Sequence, residues 1–576
     1  MKDAWWDEAH AQLWRVAGRA DLLEAGRHAR QTAWLTLPPL LASTPTSCAW
    51  TEQKARVLQA LDAAGLTRIL ASAQQGITLP LALTVWELAS VDGGVATSSL
   101  SGSLAQMPIR DFGTKAQQER YLETLRHGAL CLTEPLPGAG AEAVSLTGRM
   151  RRTGVAADGE PLLEVCKRGR FTSHMDFAEF VLVAVEGDGE GVRGSGLVIL
   201  EAGDAGEFER GIAVRKLGHR LASTTDPAFR LRVPASRLVG GFTLEEGAVV
   251  PVHSHRVLLE PALRRMRALL SLMTAAKALR TVQERLAQPR REPPTPIDDA
   301  QLRLHLADLW AAGEAAASLG FCAARASDDL DCGKADRAAA KLAALLSPAA
   351  KLFSSSRIPE LLQRVAAAGV ETSPDPQAQS IDAQIEDMYM GPAALQRRLV
   401  SAACLDASFL ADFEGWSDEI DGLATRAPQP GLRSLAVAMR LWLSTLRSLR
   451  KSVDARGVRL YCDARQSVTF AMADALCGLL AALSLALDLL QAETGLHAPD
   501  SQPSIFFDLG ILAAGSAAGR TARICADLLC GSAPRFPVSE VDRRAFARQQ
   551  ADLFMSLRGT MDARERIAEF LRGQPA

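Results

Sequence analysis

The chain has 576 residues, 48% of them hydrophobic and 23% charged, with a formal net charge of −2. That length exceeds one core and predicts two to four structural units, and the composition is that of an ordinary folded protein rather than a disordered one. Near-neutral charge leaves no basic surface for nucleic acid or an anionic bilayer.

The N-terminus, MKDAWWDEAHAQLW, has no basic segment followed by an apolar core, so no signal peptide is expected. From Trp5 to about Leu125, apolar residues recur at spacings of three and four, as in EQKARVLQALDAAGL, which predicts helices. Pro38 and Pro39, then Ser43 to Ser47, are expected to break the first helix from the next. After His127 the pattern changes. PLLEVCK, FVLVAVEG, SGLVILEA and FRLRVP are short β-prone runs separated by Gly and Asp clusters, which predicts a small antiparallel β domain. The glycines of GDGEGVRGSG precede a strand and lack a P-loop lysine, so they read as a hairpin turn rather than a phosphate loop. From His255 the chain returns to long helical patterns that continue to the C-terminus, interrupted by the proline-rich QPRREPPTPIDD.

The resulting fold class is mainly α with a central antiparallel β domain. Boundaries are expected at residues 1–128 (helical), 129–250 (β), 251–400 (helical bundle) and 401–576 (further helices). The most apolar run, Ala475–Leu487, is too short to span a bilayer and reads as a buried helix.

Ten cysteines are too few for a disulfide framework in a chain this long. Cys48, Cys131, Cys166, Cys322 and Cys477 read as small buried hydrophobes. Cys525 and Cys530 are the closest pair, and no CxxC occurs. His174, His253 and His255 lack carboxylate or thiolate neighbours at ligand spacing, so no metal site is expected. No HExxH or GxSxG motif is present. A reducing, cytoplasmic setting follows as the default.

Three segments carry a family resemblance. DFGTKAQQERYLETLRHGALCLTEPLPGAG (Asp111–Gly140), KLGHRLASTTDPAFRLRVPASRLVGG (Lys216–Gly241) and DAQIEDMYMGPAALQRR (Asp382–Arg398) resemble, in order and spacing, the FGT…TEP, KLG-x-R…VP and RDA…YEGT stretches of the acyl-CoA dehydrogenase family. PIDDAQLRLHLADL is similar to the family's LAD helix, and Gln363 to Tyr389 keeps the spacing between its Q-x-x-GG turn and YEG. SPAAK (Ser347–Lys351) resembles members with long C-terminal extensions, the 3-methylmercaptopropionyl-CoA and very-long-chain enzymes among them. The resemblance covers roughly residues 1–400.

It implies an acyl-CoA dehydrogenase-like fold of α domain, β-barrel-like domain and four-helix bundle, with a helical extension. It also implies FAD as cofactor, an acyl-CoA thioester as substrate, and a homodimer or homotetramer, with pairing to an active paralogue as an alternative. Leu132 and Thr133 would face the flavin's pyrimidine end and Thr172 its N5, although taken alone these threonines read as turn or strand-end hydroxyls. Ala139 stands where the family has a serine on the FAD pyrophosphate. Phe171 or Arg170 stands in place of an aromatic–Ile pair against the ring. Arg290 matches a cross-subunit arginine or, more simply, is a solvated charge. Ala366 and Ala367 replace a Gly-Gly near the adenosine phosphates.

The family's base is a glutamate that removes the proton α to the thioester carbonyl. Met390 occupies its place here, and a thioether accepts no proton at neutral pH. Some members carry that glutamate on the first helix after the β domain, where this chain has Arg264 and Arg265. Glu260, one turn earlier, is the alternative base or simply an acidic helix N-terminus. Glu386 and Asp387 are expected to face solvent. The sequence therefore leaves three readings open: an FAD-dependent acyl-CoA oxidoreductase with an altered base, a catalytically inactive homologue acting as partner subunit or acyl-CoA binder, and a flavin enzyme of different chemistry.

Overall fold

The computed structural model describes residues 12–16, 19–42, 50–71, 76–125, 127–132, 146–215, 222–286, 300–368, 376–426, 431–454, 456–495, 504–531 and 539–573. Two compact units divide the chain: residues 19–269 with 327–332, and residues 1–18, 270–326 and 333–576.

The first unit opens with α1 (Ala20–Gln31), a π-helical stretch Thr32–Thr36, and α2 (Leu37–Ala42). The helix runs through Pro38 and Pro39 instead of breaking there. Both prolines sit in the first turn of α2, and the wide π turn before them relieves the clash a proline ring makes with the preceding turn. After α3 (Trp50–Ala63), α4 (Thr78–Val91) is apolar and largely buried. Its first backbone N–H groups, on Thr78 and Leu79, donate to the Asp328 carboxylate at 2.7 and 2.9 Å, which caps the helix. Asp92 caps α5 (Gly93–Phe112), and Thr114 and Gln117 form a capping box on the short α6 (Lys115–Gln118).

Among the described residues twelve strands follow: β1 (Gly128–Cys131), β2 (Arg149–Val155), β3 (Pro161–Arg168), β4 (Thr172–Ser173), β5 (Phe180–Gly187), β6 (Ser195–Glu201), β7 (Ala205–Glu209), β8 (Val214–Arg215), β9 (Ser223–Thr225), β10 (Ala228–Pro234), β11 (Phe242–Glu245) and β12 (Ala248–Pro251). The main sheet runs β1-β5-β2-β3-β10-β7 with β6 also on β5, while β4-β9-β8 and β11-β12 form smaller sheets. Pairings are antiparallel except β1 with β5 and β2 with β5. The continuous apolar run of β5 follows from burial on both faces. Val181, Val183 and Val185 join the interior of the curled sheet, and Phe180, Leu182 and Ala184 pack with Ala105, Ile109, Leu258 and Leu259.

Helix α7 (His255–Leu286) leaves the β domain and contributes its second half to the other unit, with α8 (Ala300–Asp331), α9 (Arg337–Ala367), α10 (Pro376–Met388) and α11 (Ala393–Ala403). At Gly320 of α8 an added Cβ would lie 2.7 Å from Leu272 Cδ2, so glycine sets the close α7–α8 approach. The remaining helices are α12 (Ala407–Arg426), α13 (Leu432–Lys451), α14 (Gln466–Gly495), α15 (Ser504–Leu529), α16 (Glu540–Ser556) and α17 (Thr560–Gly573). The expected 13-residue apolar run is part of α14, a longer helix. Residues Gln466–Gln491 are long and apolar enough to cross a membrane, yet 67% of their most apolar window is buried inside the fold. Trp442 on α13 ties the two helices by donating to the Met472 carbonyl at 3.0 Å.

Candidate functional site

Helix α10 ends at Met388, and Tyr389, Met390, Gly391 and Pro392 turn the chain into α11. Met390 and Gly391 adopt successive left-handed conformations, with φ of 55° and 90°. For a non-glycine residue that costs about 1 kcal/mol or more, so surrounding contacts must hold it. Several do. The Lys351 ammonium, on α9 and 1% exposed, donates to the Asp387 carbonyl at 3.0 Å and to the Gly391 carbonyl. Gln396 Nε2 donates to the carbonyls of Met390 and Gly391, both at 3.0 Å. Ser355 Oγ donates to the Asp387 carboxylate, whose other oxygen accepts from the Ala393 N–H at the start of α11. A cation at a helix C-terminus and a carboxylate at the next N-terminus both oppose the peptide dipoles favourably. The turn is thus held from several sides, and it presents a half-buried thioether.

The carboxylates before Met390 do not face solvent as expected. Glu386 and Lys277 are each 1% exposed and form an ion pair, and Thr274 Oγ1 donates to Glu386 Oε2 at 2.7 Å. Asp382 lies 3.7 Å from the same ammonium. Buried Ser380, Ala383 and Glu386 recur every three residues along α10, so its inward stripe runs through Glu386. The missed signal was Lys277 itself: a lysine inside MTAAKAL is buried only beside an anion.

In the other unit, Glu260 lies in the second turn of α7 rather than at its start. Its side chain is 60% exposed, and it accepts from Arg264 at 2.8 Å. Arg264 is buried and donates also to Asp331 at 2.6 Å. Arg265 bonds Asp331 at 2.8 Å and Asp111 at 2.5 Å. Burial opposes the Arg265 charge, but Asp111 and Asp331 outweigh it and raise the guanidinium pKa. The position matched to a relocated glutamate thus holds an ion-paired cation. Arg110, Asp111, Glu123, Arg265 and Asp331 line a cavity of about 540 Å³ in this unit.

On the β side, Leu132 follows β1 and is half-buried against the α5-facing cluster. Thr172 and Thr225 are register partners across β4 and β9, each 2% exposed, and neither hydroxyl has a partner among the described residues. Phe171 has φ 52°, is 56% exposed, and carries the Arg170 guanidinium 4.6 Å from its ring centre. Thr133, Ala139 and Arg290 lie outside the described residues. Ala366 and Ala367 are the last residues of α9, where helical backbone needs no glycine.

His174, also left-handed at φ 64°, is 2% exposed with neither ring nitrogen hydrogen-bonded among the described residues. Burial, then Lys54 and His127, push its pKa well below the ordinary value. Nearby Lys54 is held by Asp176 at 3.0 Å and Ser223 at 2.9 Å, a buried pair whose partners are too far apart in sequence for spacing to reveal. His255 bonds Ser195 at 2.7 Å, and His253 packs against Phe112. Among the described residues no three His, Cys, Asp or Glu side chains cluster at metal-binding distance.

A curled, mainly antiparallel sheet set between runs of long helices, with a locked Tyr-x-Gly-Pro turn after the first bundle helices, defines the class. Residues 42–129 match the acyl-CoA dehydrogenase N-terminal domain, and residues 259–405 match the acyl-CoA dehydrogenase C-terminal domain. Both matches are to domains of the acyl-CoA dehydrogenase family. It is 35% identical over 179 residues to the short-chain specific acyl-CoA dehydrogenase of Megasphaera elsdenii, a stretch covering 30% of this chain and 44% of that relative's length. Its fold is similar to that of an acyl-CoA dehydrogenase complexed with FAD from Bacillus anthracis, at 17% identity and a TM-score of 0.76, covering 96% of this chain and 95% of that one. The nitroalkane oxidase of Podospora anserina also shares the fold, at 17% identity and a TM-score of 0.53, over 68% of this chain and 96% of that one.

Proposed function

We propose that this chain is an FAD-binding oxidoreductase that takes an acyl-CoA thioester, with the usual base replaced at both positions where the family places it. The observation that carries the reading is the Met390 turn. Lys351, Gln396 and Asp387 hold the left-handed Met390–Gly391 backbone, and backbone held in such conformations clusters at functional sites. Thr172 tests whether the cofactor fits. Its buried, unpartnered hydroxyl is an orphan donor where the resemblance assigns contact with the flavin ring, and a flavin atom would satisfy it. Leu132 and Thr172 would hold the ring edge among the described residues. Bound FAD would supply the hydride acceptor. The protein's part is to orient the thioester and to exclude water.

One observation favours a second reading, in which the chain binds acyl-CoA without oxidising it or serves as a partner subunit. Met390 accepts no proton, and Arg264 is a cation already paired with Glu260 and Asp331. The test is anaerobic. Purified protein is expected to carry flavin absorbance, and an acyl-CoA panel is expected to bleach it. Yellow protein that no thioester bleaches would move the assignment to the binder. Colourless protein that takes up no added FAD would sink the flavoprotein reading. The cytoplasmic, homo-oligomeric setting belongs to the same proposal.

A further inference from the structure

The side chains around β4 and β9 leave five buried polar atoms without a hydrogen-bond partner among the described residues: both ring nitrogens of His174 and the hydroxyls of Thr172, Thr224 and Thr225. Buried polar groups are bonded as a rule, so this many orphans in one place point to a small polar molecule between them, water being the smallest. Thr172 and Thr225 are directly opposed across an antiparallel pair, which turns both side chains to one face, and Ser223, two residues before Thr225, shares that face. Ser223 Oγ donates to Asp176 at 2.7 Å and accepts from the Lys54 ammonium at 2.9 Å. His174 follows β4 directly and is 2% exposed. Its ring lies 6.2 Å from that of Phe177, which carries the Lys54 ammonium 4.7 Å from its centre. The His127 ring is 5.5 Å from the His174 ring. His127 Nε2 meets the Asp62 carboxylate at 3.1 Å, and these two side chains reach solvent, at 17% and 15% exposure.

We infer that His174, bridged by water to Thr172 and Thr225 and on to His127, is the middle of a proton route between the flavin side of β4 and solvent. This route rests on the flavin reading above and deepens it. A neutral imidazole offers one N–H and one bare nitrogen, so it can accept a proton at one nitrogen and release one from the other. Burial, then Lys54 and His127, keep the ring neutral, with a pKa well below the ordinary value. A hydride delivered to a flavin brings its proton together with two electrons. When those electrons pass to an external one-electron carrier, the proton stays behind and must leave a site that excludes bulk water. In the opposite direction, FAD, two electrons and one proton give FADH−, and the proton must come in. The Thr172 hydroxyl hands it to the bridging water, His174 takes it at one nitrogen and gives another from the second, and His127 with Asp62 exchanges it with solvent.

The experiment follows the inward direction in the FAD-loaded, full-length protein. Reduced methyl viologen, which supplies electrons and no proton, is mixed in anaerobically in weak buffer, and flavin bleaching and a fluorescent pH indicator are recorded together. In the wild-type protein, proton uptake is expected to keep step with bleaching. In His174→Phe, which keeps a ring and removes both nitrogens, uptake should trail bleaching by about 10²-fold. Gly102→Ala on α5 is the second variant. Its methyl would lie 3.9 Å from His174 Nε2, an ordinary contact that needs no backbone change, and the crowding should give a shorter lag. A histidine of merely structural importance would weaken folding or FAD uptake without separating the two signals. Coincident signals in His174→Phe overturn the route, as does a wild-type lag as long as the variant's. Should His174→Phe fail to fold, coincident signals in Gly102→Ala overturn it instead. If the wild-type protein takes up no FAD, the flavin reading falls and the route with it. FAD uptake with coincident signals in every variant removes the route alone.

Discussion

Replacing Glu386 with glutamine removes a charge from a place water does not reach. Lys277 and Glu386 are each 1% exposed, and the carboxylate has Thr274 as a further donor at 2.7 Å. Breaking a buried pair from one side leaves an uncompensated ion, at a cost of about 3–5 kcal/mol. Asp382, 3.7 Å from the Lys277 ammonium, partly compensates in Glu386→Gln, which places that variant near the lower figure. In Lys277→Met the same Asp382 remains beside an unpaired Glu386, which places that variant near the upper one. The double variant Lys277→Met/Glu386→Leu removes the buried pair and leaves only the 14% exposed Asp382 without the Lys277 ammonium, so it should cost clearly less than either single variant. The two units need not unfold together, so hydrogen exchange across residues 270–286 and 376–388 is the suitable assay, supported by the thermal midpoint. At about 2–4 °C per kcal/mol the single variants should lose roughly 6–20 °C. Single variants that cost less than about 1 kcal/mol, or a double variant that costs the sum of the singles, would refute the claim that this pair is dry and mutually dependent.

Thr172→Val removes a hydroxyl that bonds nothing among the described residues, so the flavin-free protein should keep its thermal midpoint while FAD affinity drops about tenfold, read by flavin fluorescence titration. Met390→Glu places a carboxylate on a turn that already has the required backbone. If the proposed oxidoreductase lacks only its base, anaerobic flavin bleaching by an acyl-CoA should quicken by about 10²-fold or more. His174 carries a folded-state pKa well below its unfolded value near 6.5, so the unfolded chain binds the extra proton. Stability is then full above pH ~6.5 and declines as pH falls toward the folded pKa, by about 1 kcal/mol between pH 6.5 and 5.5. His174→Asn, which tolerates the left-handed backbone, should flatten that slope in urea titrations at the two pH values.

The fold was legible where local pattern and burial agree. FVLVAVEG reads as a strand from its β-prone run between turn signals, and it is β5, the strand that joins β1, β2 and β6. The proline pair at 38–39 misled because a π turn upstream, which has no simple sequence signature, absorbs the ring clash. The site divides on the same principle. Tyr-Met-Gly-Pro could be read from order and spacing, since backbone conformation at a turn is largely local. Glu386 could not, because its counter-ion lies 109 residues away and only the tertiary fold turns that side of α10 inward. Lys277 in an apolar run and Arg264 and Arg265 near the start of α7 were the visible halves of pairs whose other halves, Glu386, Asp331 and Asp111, distance concealed. A buried charge in sequence is therefore a question about its partner. Lys54, Lys277 and Lys351 each find an answer inside the chain, from Asp176, from Glu386, and from two carbonyls of the Met390 turn.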